Sequence, residues 1–190
     1  SLKLKVKISN VIKIKKELKN SFIILALSTH AGEEKILLNS LKEITRKIED
    51  VILIIQPRHP KRANDIKKII NNFGFKFMQR SISQLPKKNT QVYLADTFGE
   101  SGTLISSANL VILGGTLSPV GGHNIIEPAQ MSKCIILGKY FSKIKDTVNI
   151  FKHKGAIKIL ENNSKLSKII IDLYHDKNTL NSIGKKAFLI

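Results

Sequence analysis

Four short stretches hold most of the residues able to do chemistry: "STHAGEE" (28–34), "QPRHPKR" (56–62), "DTFGES" (96–101) and "GGTLSPVGGHNIIEPA" (114–129). In "PRHP", Pro57 and Pro60 stiffen the backbone and bias His59 to an extended conformation. Arg58 is thereby presented on a preorganised loop, and a planar guanidinium there suits a phosphate. The plain alternative is a solvated surface arginine. In "STHAGEE", Ser28, Thr29 and Gly32 stand where a helix begins, and free N–H groups at a helix start can hold an anion. Ser28, His30 and Gly32 are therefore candidates for a phosphate- or sugar-holding loop. The alternative is an ordinary helix start, with Glu33 and Glu34 answering the dipole. In the longest stretch, Gly121 and Gly122 are expected to let backbone approach a ligand closely. Asn124 is predicted to cap a helix running through Gln130, with Pro128 in its first turn. Glu127 then faces the cleft, where a carboxylate can accept hydrogen bonds from two vicinal hydroxyls such as those of a ribose. His30, His59 and His123 each suit either a structural hydrogen bond or a substrate contact. No pair of histidines has metal-ligand spacing and no Cys/His cluster exists, so neither a zinc site nor another metal cofactor is expected.

Those stretches need elements to hold them. "FIILAL" (22–27), "VILII" (51–55), "FKFMQ" (75–79), "VYLA" (92–95), "NLVIL" (109–113) and "CIIL" (134–137) read as strands, most of them apolar throughout. Between them, Leu37, Leu41, Ile44 and Ile48 form one helical stripe, and Ile66, Ile69, Ile70 and Phe73 another, closed by Gly74. A short helix is predicted over 100–108, a later one on Leu166, Ile169, Ile170 and Leu173, and a last one over 178–189. Uniformly apolar strands separated by amphipathic helices imply an α/β domain with a doubly wound parallel sheet. The four stretches then follow strands one, two, "VYLA" and "NLVIL", at the carboxyl ends where such sheets bind ligands. Residues 1–190 make one domain. Within 1–20, Leu2, Leu4, Val6 and Ile8 alternate with lysines, which predicts an edge strand or a connection from a preceding domain.

Charge and composition narrow the function classes. The net charge is +18, with 32 Lys and Arg against 14 acids in 190 residues. It is unevenly placed: 91–132 holds no Lys or Arg and only the acids Asp96, Glu100 and Glu127. A lysine beside Glu127 would pair with it and block it. Basic residues without interleaved aromatics, kept away from the loops of interest, argue against nucleic acid and favour an anionic membrane surface. A non-enzymatic basic surface-binding module is the rival reading. The single cysteine, Cys134, sits inside an apolar run and excludes an internal disulfide. No apolar run approaches the roughly 20 residues of a membrane span.

Together, "STHAGEE", "PRHPKR", "DTFGES" and "GGTLSPVGGHNIIEPA" resemble the motifs of the Kdo transferases. These enzymes move 3-deoxy-D-manno-octulosonic acid (Kdo) from CMP-Kdo to a lipid A precursor. "GGHN-x-x-EPA" is the most specific of the motifs, and the resemblance covers nearly the whole chain. It implies a Rossmann-like fold, the C-terminal donor-binding domain of a GT-B glycosyltransferase. By the same resemblance, Pro57 and Arg58 contact the CMP moiety, Phe98, Gly99 and Glu100 line the cytidine pocket, and Asn124, Ile125, Ile126 and Glu127 hold the ribose. Ser101 departs from the family's usual Leu, and Thr116 from a common Ser. The implied chemistry is an inverting transfer without a metal, in lipopolysaccharide biosynthesis at the cytoplasmic face of the bacterial inner membrane. The general base and the lipid A acceptor site would lie in an N-terminal domain, so this chain alone is expected to be inactive. Another GT-B enzyme, a UDP-sugar transferase or epimerase, is the nearest alternative.

Overall fold

A computed structural model describes residues 5–190. Seven strands, all parallel, form one sheet: β1 (Phe22–Thr29), β2 (Val51–Pro57), β3 (Phe77–Gln79), β4 (Val92–Leu94), β5 (Leu110–Leu113), β6 (Cys134–Leu137) and β7 (Lys158–Ile159). Their order across the sheet is β3-β4-β2-β1-β5-β6-β7. The chain lays down one half of the sheet, returns past β1 and builds the other half from β5. The crevice between β1 and β5 is thus the switch point at which α/β sheets bind ligands.

Alternate side chains of each strand feed two separate cores. Ile24, Ala26, Leu53, Ile55, Ile112 and Ile136 pack under α2 (Glu33–Ile44), α3 (Ala63–Asn72) and α7 (Leu166–His175). Ile23, Leu25, Ile54, Tyr93, Val111 and Ile135 pack on the other face, under α1 (Ile8–Glu17), α4 (Ser101–Ser107) and α6 (Lys145–His153). Both faces being covered, the strands have no polar side to alternate with, which is why their sequences are continuous apolar runs. Two further helices, α5 (Ile126–Ala129) and α8 (Lys177–Phe188), complete the layers.

The edge strand predicted within 1–20 is overturned where it can be followed. Leu2 and Leu4 lie outside the described residues, and from Ile8 the chain is helical. Ile14 and Leu18, four apart, are buried against the sheet, while Ile8 and Ile12 are exposed. Burying each of that pair is worth about 1.5–3 kcal/mol, and a strand register would put neighbours of opposite character on one face. The amide of Lys7 donates to the Thr103 hydroxyl at 3.0 Å, which ties the helix start to α4.

Candidate functional site

The loop after β1 begins with an irregularity. The β1–β2 register shifts between Leu27 and Thr29, and Ser28 between them takes φ 61°. The loop after β5 comes so close that a Cβ on Gly114 would stand 2.2 Å from the Ser28 carbonyl oxygen. Only glycine fits there. Glu33 then binds the two loops together. One carboxylate oxygen accepts from the amides of His30 and Gly115, both at 2.9 Å; the other accepts from Leu117 at 2.9 Å and Ser118 at 3.2 Å. Glu33 is fully buried. It is a clamp between loops rather than a solvated acid answering the helix dipole.

Glu34 has a comparable duty. It too is fully buried, accepting from the Thr29 hydroxyl at 2.8 Å and from the two terminal nitrogens of Arg62 at 2.8 and 3.0 Å. This pair fixes "PRHPKR" over the end of β1. The amide of Arg58 adds a bond to the Thr29 carbonyl at 3.0 Å. His59 is extended, φ −121° and ψ 101°, as Pro60 requires. The Arg58 side chain is left exposed, and among the described residues it has no carboxylate partner.

The loop after β4 is held by residues that local spacing does not reveal. Asp96 is buried and accepts from the Ser81 amide (2.9 Å), the Ser81 hydroxyl (2.7 Å) and the Gln79 amide group (2.6 Å). Glu100 accepts from Arg80 Nε at 2.9 Å and Nη2 at 2.8 Å, and from the Thr97 hydroxyl. The Arg80 guanidinium holds the Glu100 carboxyl below the usual carboxylate range. Its charge is therefore already answered within the protein, while the neighbouring Phe98 is 80% exposed. Ser101 is paired with the buried Gln56 at 3.0 Å, so its hydroxyl has a structural partner at the end of β2.

The glycine-rich stretch keeps its turns but not its expected use. Gly121 and Gly122, φ 108° and 88°, need the left-handed region. What approaches them is the chain itself: a Cβ would meet Lys143 Cγ at 2.8 Å from Gly121 and Ile144 Cδ1 at 2.9 Å from Gly122. Their amides donate to the Gly115 carbonyl at 3.0 and 2.7 Å. The close approach expected for a ligand is thus an intramolecular one. Beyond them, the N-cap of the next helix is Ile125 and not Asn124 as predicted; Asn124 stands one residue earlier, where its side-chain oxygen accepts from the Ile126 amide at 2.9 Å and its amide group donates to Glu127 at 3.2 Å. The helix ends at Ala129 rather than Gln130. Ile125 is a buried anchor of the core, whereas Ile126 is exposed and Glu127 half-buried. Glu127 has no ion-pair partner among the described residues.

The sheet topology also joins two residues that sequence spacing could not. His30, after β1, and His123, after β5, approach to 2.6 Å between their Nε2 atoms. Burial and neighbouring cations push the His123 imidazole down to about 4, and burial lowers His30 as well. Among the described residues, no group of three or more His, Cys, Asp or Glu is placed to hold a metal ion. Hollows of about 300 and 490 Å³ beside Ser21 sit at the other end of the strands, away from these loops.

No protein-family model matches the chain. It is 37% identical over 161 residues to a 3-deoxy-D-manno-octulosonic acid transferase of Rickettsia bellii, an alignment covering 83% of this chain and 38% of the relative. A transferase of the same name from Haemophilus influenzae is 29% identical over 165 residues, covering 86% of this chain and 39% of the relative. The chain thus spans about two fifths of the length of these curated relatives. In structure it is similar to the C-terminal CMP-Kdo binding domain of WaaA from Acinetobacter baumannii, with a TM-score of 0.90, 27% identity and 95% of each chain covered. The fold is that of the C-terminal domain of a GT-B glycosyltransferase.

Proposed function

We propose, for a chain that belongs to the 3-deoxy-D-manno-octulosonic acid transferase family and matches its C-terminal domain, that it binds CMP-Kdo, the activated donor of an inverting Kdo transfer to a lipid A precursor. The observation that carries this reading is the likeness over 95% of both chains to a CMP-Kdo binding domain. The geometry supports it. Arg58 is a free guanidinium on a stiff loop, Phe98 an exposed ring, and Glu127 a carboxylate without a cation, beyond the carboxyl ends of β2, β4 and β5 respectively. A phosphate on Arg58, a cytosine beside Phe98 and ribose hydroxyls on Glu127 satisfy each in turn. Charge building on the departing phosphate would be stabilised by Arg58 in place before reaction.

The base that activates the acceptor hydroxyl, and the acceptor site, are assigned to the part of the enzyme outside this chain. The working position is the cytoplasmic face of the bacterial inner membrane, reached through the basic surface. No helix among the described residues is long and apolar enough to cross a membrane. A metal is not required for donor binding in this reading, since CMP carries one phosphate and Arg58 answers it.

Calorimetric titration of the chain with CMP and with UDP tests the proposal. CMP is expected to bind at least tenfold tighter, about 1.4 kcal/mol, with a chelator making no difference. Equal affinity for UDP would transfer the site to a UDP-sugar enzyme, and a loss of CMP binding in chelator would restore a metal to it.

A further inference from the structure

Three loops meet at the switch point, and each brings a histidine: His30 after β1, His59 after β2 and His123 after β5. The His30 and His123 rings are inclined by only 15°, with centroids 4.8 Å apart. Their Nε2 atoms are 2.6 Å apart. A centroid distance that exceeds the nitrogen distance by this much places the rings end to end, nearly in one plane. The contact is an N–H···N hydrogen bond along the line joining them, and not a face-to-face stack. Such a bond needs one proton and one lone pair. Two Nε2 protons cannot face each other across it, so the pair carries at most one positive charge while it stays intact.

The surroundings leave that charge without a complement. His30 is faced by Glu33, Glu34, Arg62 and His59; His123 is faced by Arg58, Lys143, His59 and His30. Both acids are already engaged, Glu33 by four backbone amides and Glu34 by Arg62. The charged groups left free around the pair are the cations Arg58 and Lys143. Burial and these cations hold both imidazoles below their ordinary range, so the pair is neutral at physiological pH. An anion arriving among Arg58, Lys143 and His59 would reverse the balance.

We propose that the His30–His123 pair is a proton-coupled anion receptor: at a pH between the midpoints of the free and the bound pair, it takes up one proton when the phosphate or carboxylate of a sugar nucleotide seats beside Arg58, and returns it on release. No bond other than the N–H bond is made or broken; the proton comes from solvent and goes back to it. This rests on the donor-binding reading and adds to it the protonation state in which the donor is held. Binding should tighten as pH falls between the free and the bound midpoints of the pair, because the bound form holds the extra proton.

The test is nuclear magnetic resonance of the chain labelled with nitrogen-15 in its histidines, following the His30 and His123 ring nitrogens from about pH 4 to pH 8. Four samples are compared: no ligand, cytidine, CMP and free Kdo. We expect the two rings to titrate together, with one proton between them. CMP or Kdo should raise their common midpoint by about one pH unit or more, and cytidine should not. A shift with CMP alone identifies the phosphate as the anion received, and a shift with Kdo alone the carboxylate. CMP binding without a shift overturns the receptor while leaving the donor site intact. Two independent, complete titrations, or a shift with cytidine equal to that with CMP, overturn it as well. Failure of both CMP and Kdo to bind contradicts the receptor and the donor-binding reading together.

Discussion

Three arginines lie near the ends of β1 to β4, and only one is free for a ligand. Arg62 holds Glu34 and Arg80 holds Glu100, each through paired hydrogen bonds. Arg58 has no such partner, although its amide is fixed to the Thr29 carbonyl. Arg58→Ala is therefore expected to weaken CMP binding about 10- to 100-fold, the 1.5–3 kcal/mol of a charge-assisted hydrogen bond. Calorimetry reads it, and melting temperature should be unchanged because nothing in the fold leans on the guanidinium. Unchanged CMP affinity would remove Arg58 from the site. The exposed setting of Arg58 on a stiff loop was legible in the sequence because prolines on either side act locally. The roles of Glu33 and Glu34 were not. Both stand at the start of a helix, where an exposed acid is the ordinary finding, and besides His30 and Thr29 their partners lie 28 to 85 positions away. The His30–His123 contact spans 93 positions and follows only from β1 and β5 being neighbours.

At the scale of elements, the positions of the loops depend on buried polar clamps more than on the glycines themselves. Glu33 fastens the start of α2 to the turn after β5, and four amides lose an acceptor if it goes. Glu33→Gln keeps the shape but turns an amide N–H₂ towards amide donors. It is expected to lower stability by about 1–3 kcal/mol, read by chemical denaturation, and to weaken CMP binding as the two loops part. Full stability in the variant would mean that the loops are held by packing alone. The parallel strands were readable because burial on both faces leaves uninterrupted apolar runs. The first helix was misread because four apolar residues in alternation with lysine imitate a strand, while the spacing that decides the matter, Ile14 to Leu18, falls just beyond them. β7, two residues long, gave no run to mark it, and α6 was missed although its buried Val148 and Phe151 stand at helical spacing. The helix after Asn124 was visible through the Asn and the early proline, while its actual cap, Ile125, and its shortness were not.

The whole molecule has the fold of a GT-B C-terminal domain and carries a net charge of +18, while 91–132 holds no Lys or Arg. Lys143 reaches the glycine-rich turn from the 3-10 turn Ser142–Ile144 that precedes α6. The lysines of 5–19 and 133–190 are expected to bring the domain to anionic lipid, each contributing up to about 1 kcal/mol near the headgroups. Co-sedimentation with anionic vesicles should fall steeply as salt is raised, because screening acts over about 8 Å at physiological ionic strength. Neutral vesicles should bind little, and equal binding to both kinds would leave the charge without a membrane role. The central claim concerns the other face, the crevice between β1 and β5. A crystal structure of this chain with CMP tests it most directly. The phosphate is expected against Arg58 and the His30–His123 pair, the ribose on Glu127 and the cytosine beside Phe98. CMP bound at the opposite ends of the strands, or with its phosphate out of reach of Arg58, would contradict the account.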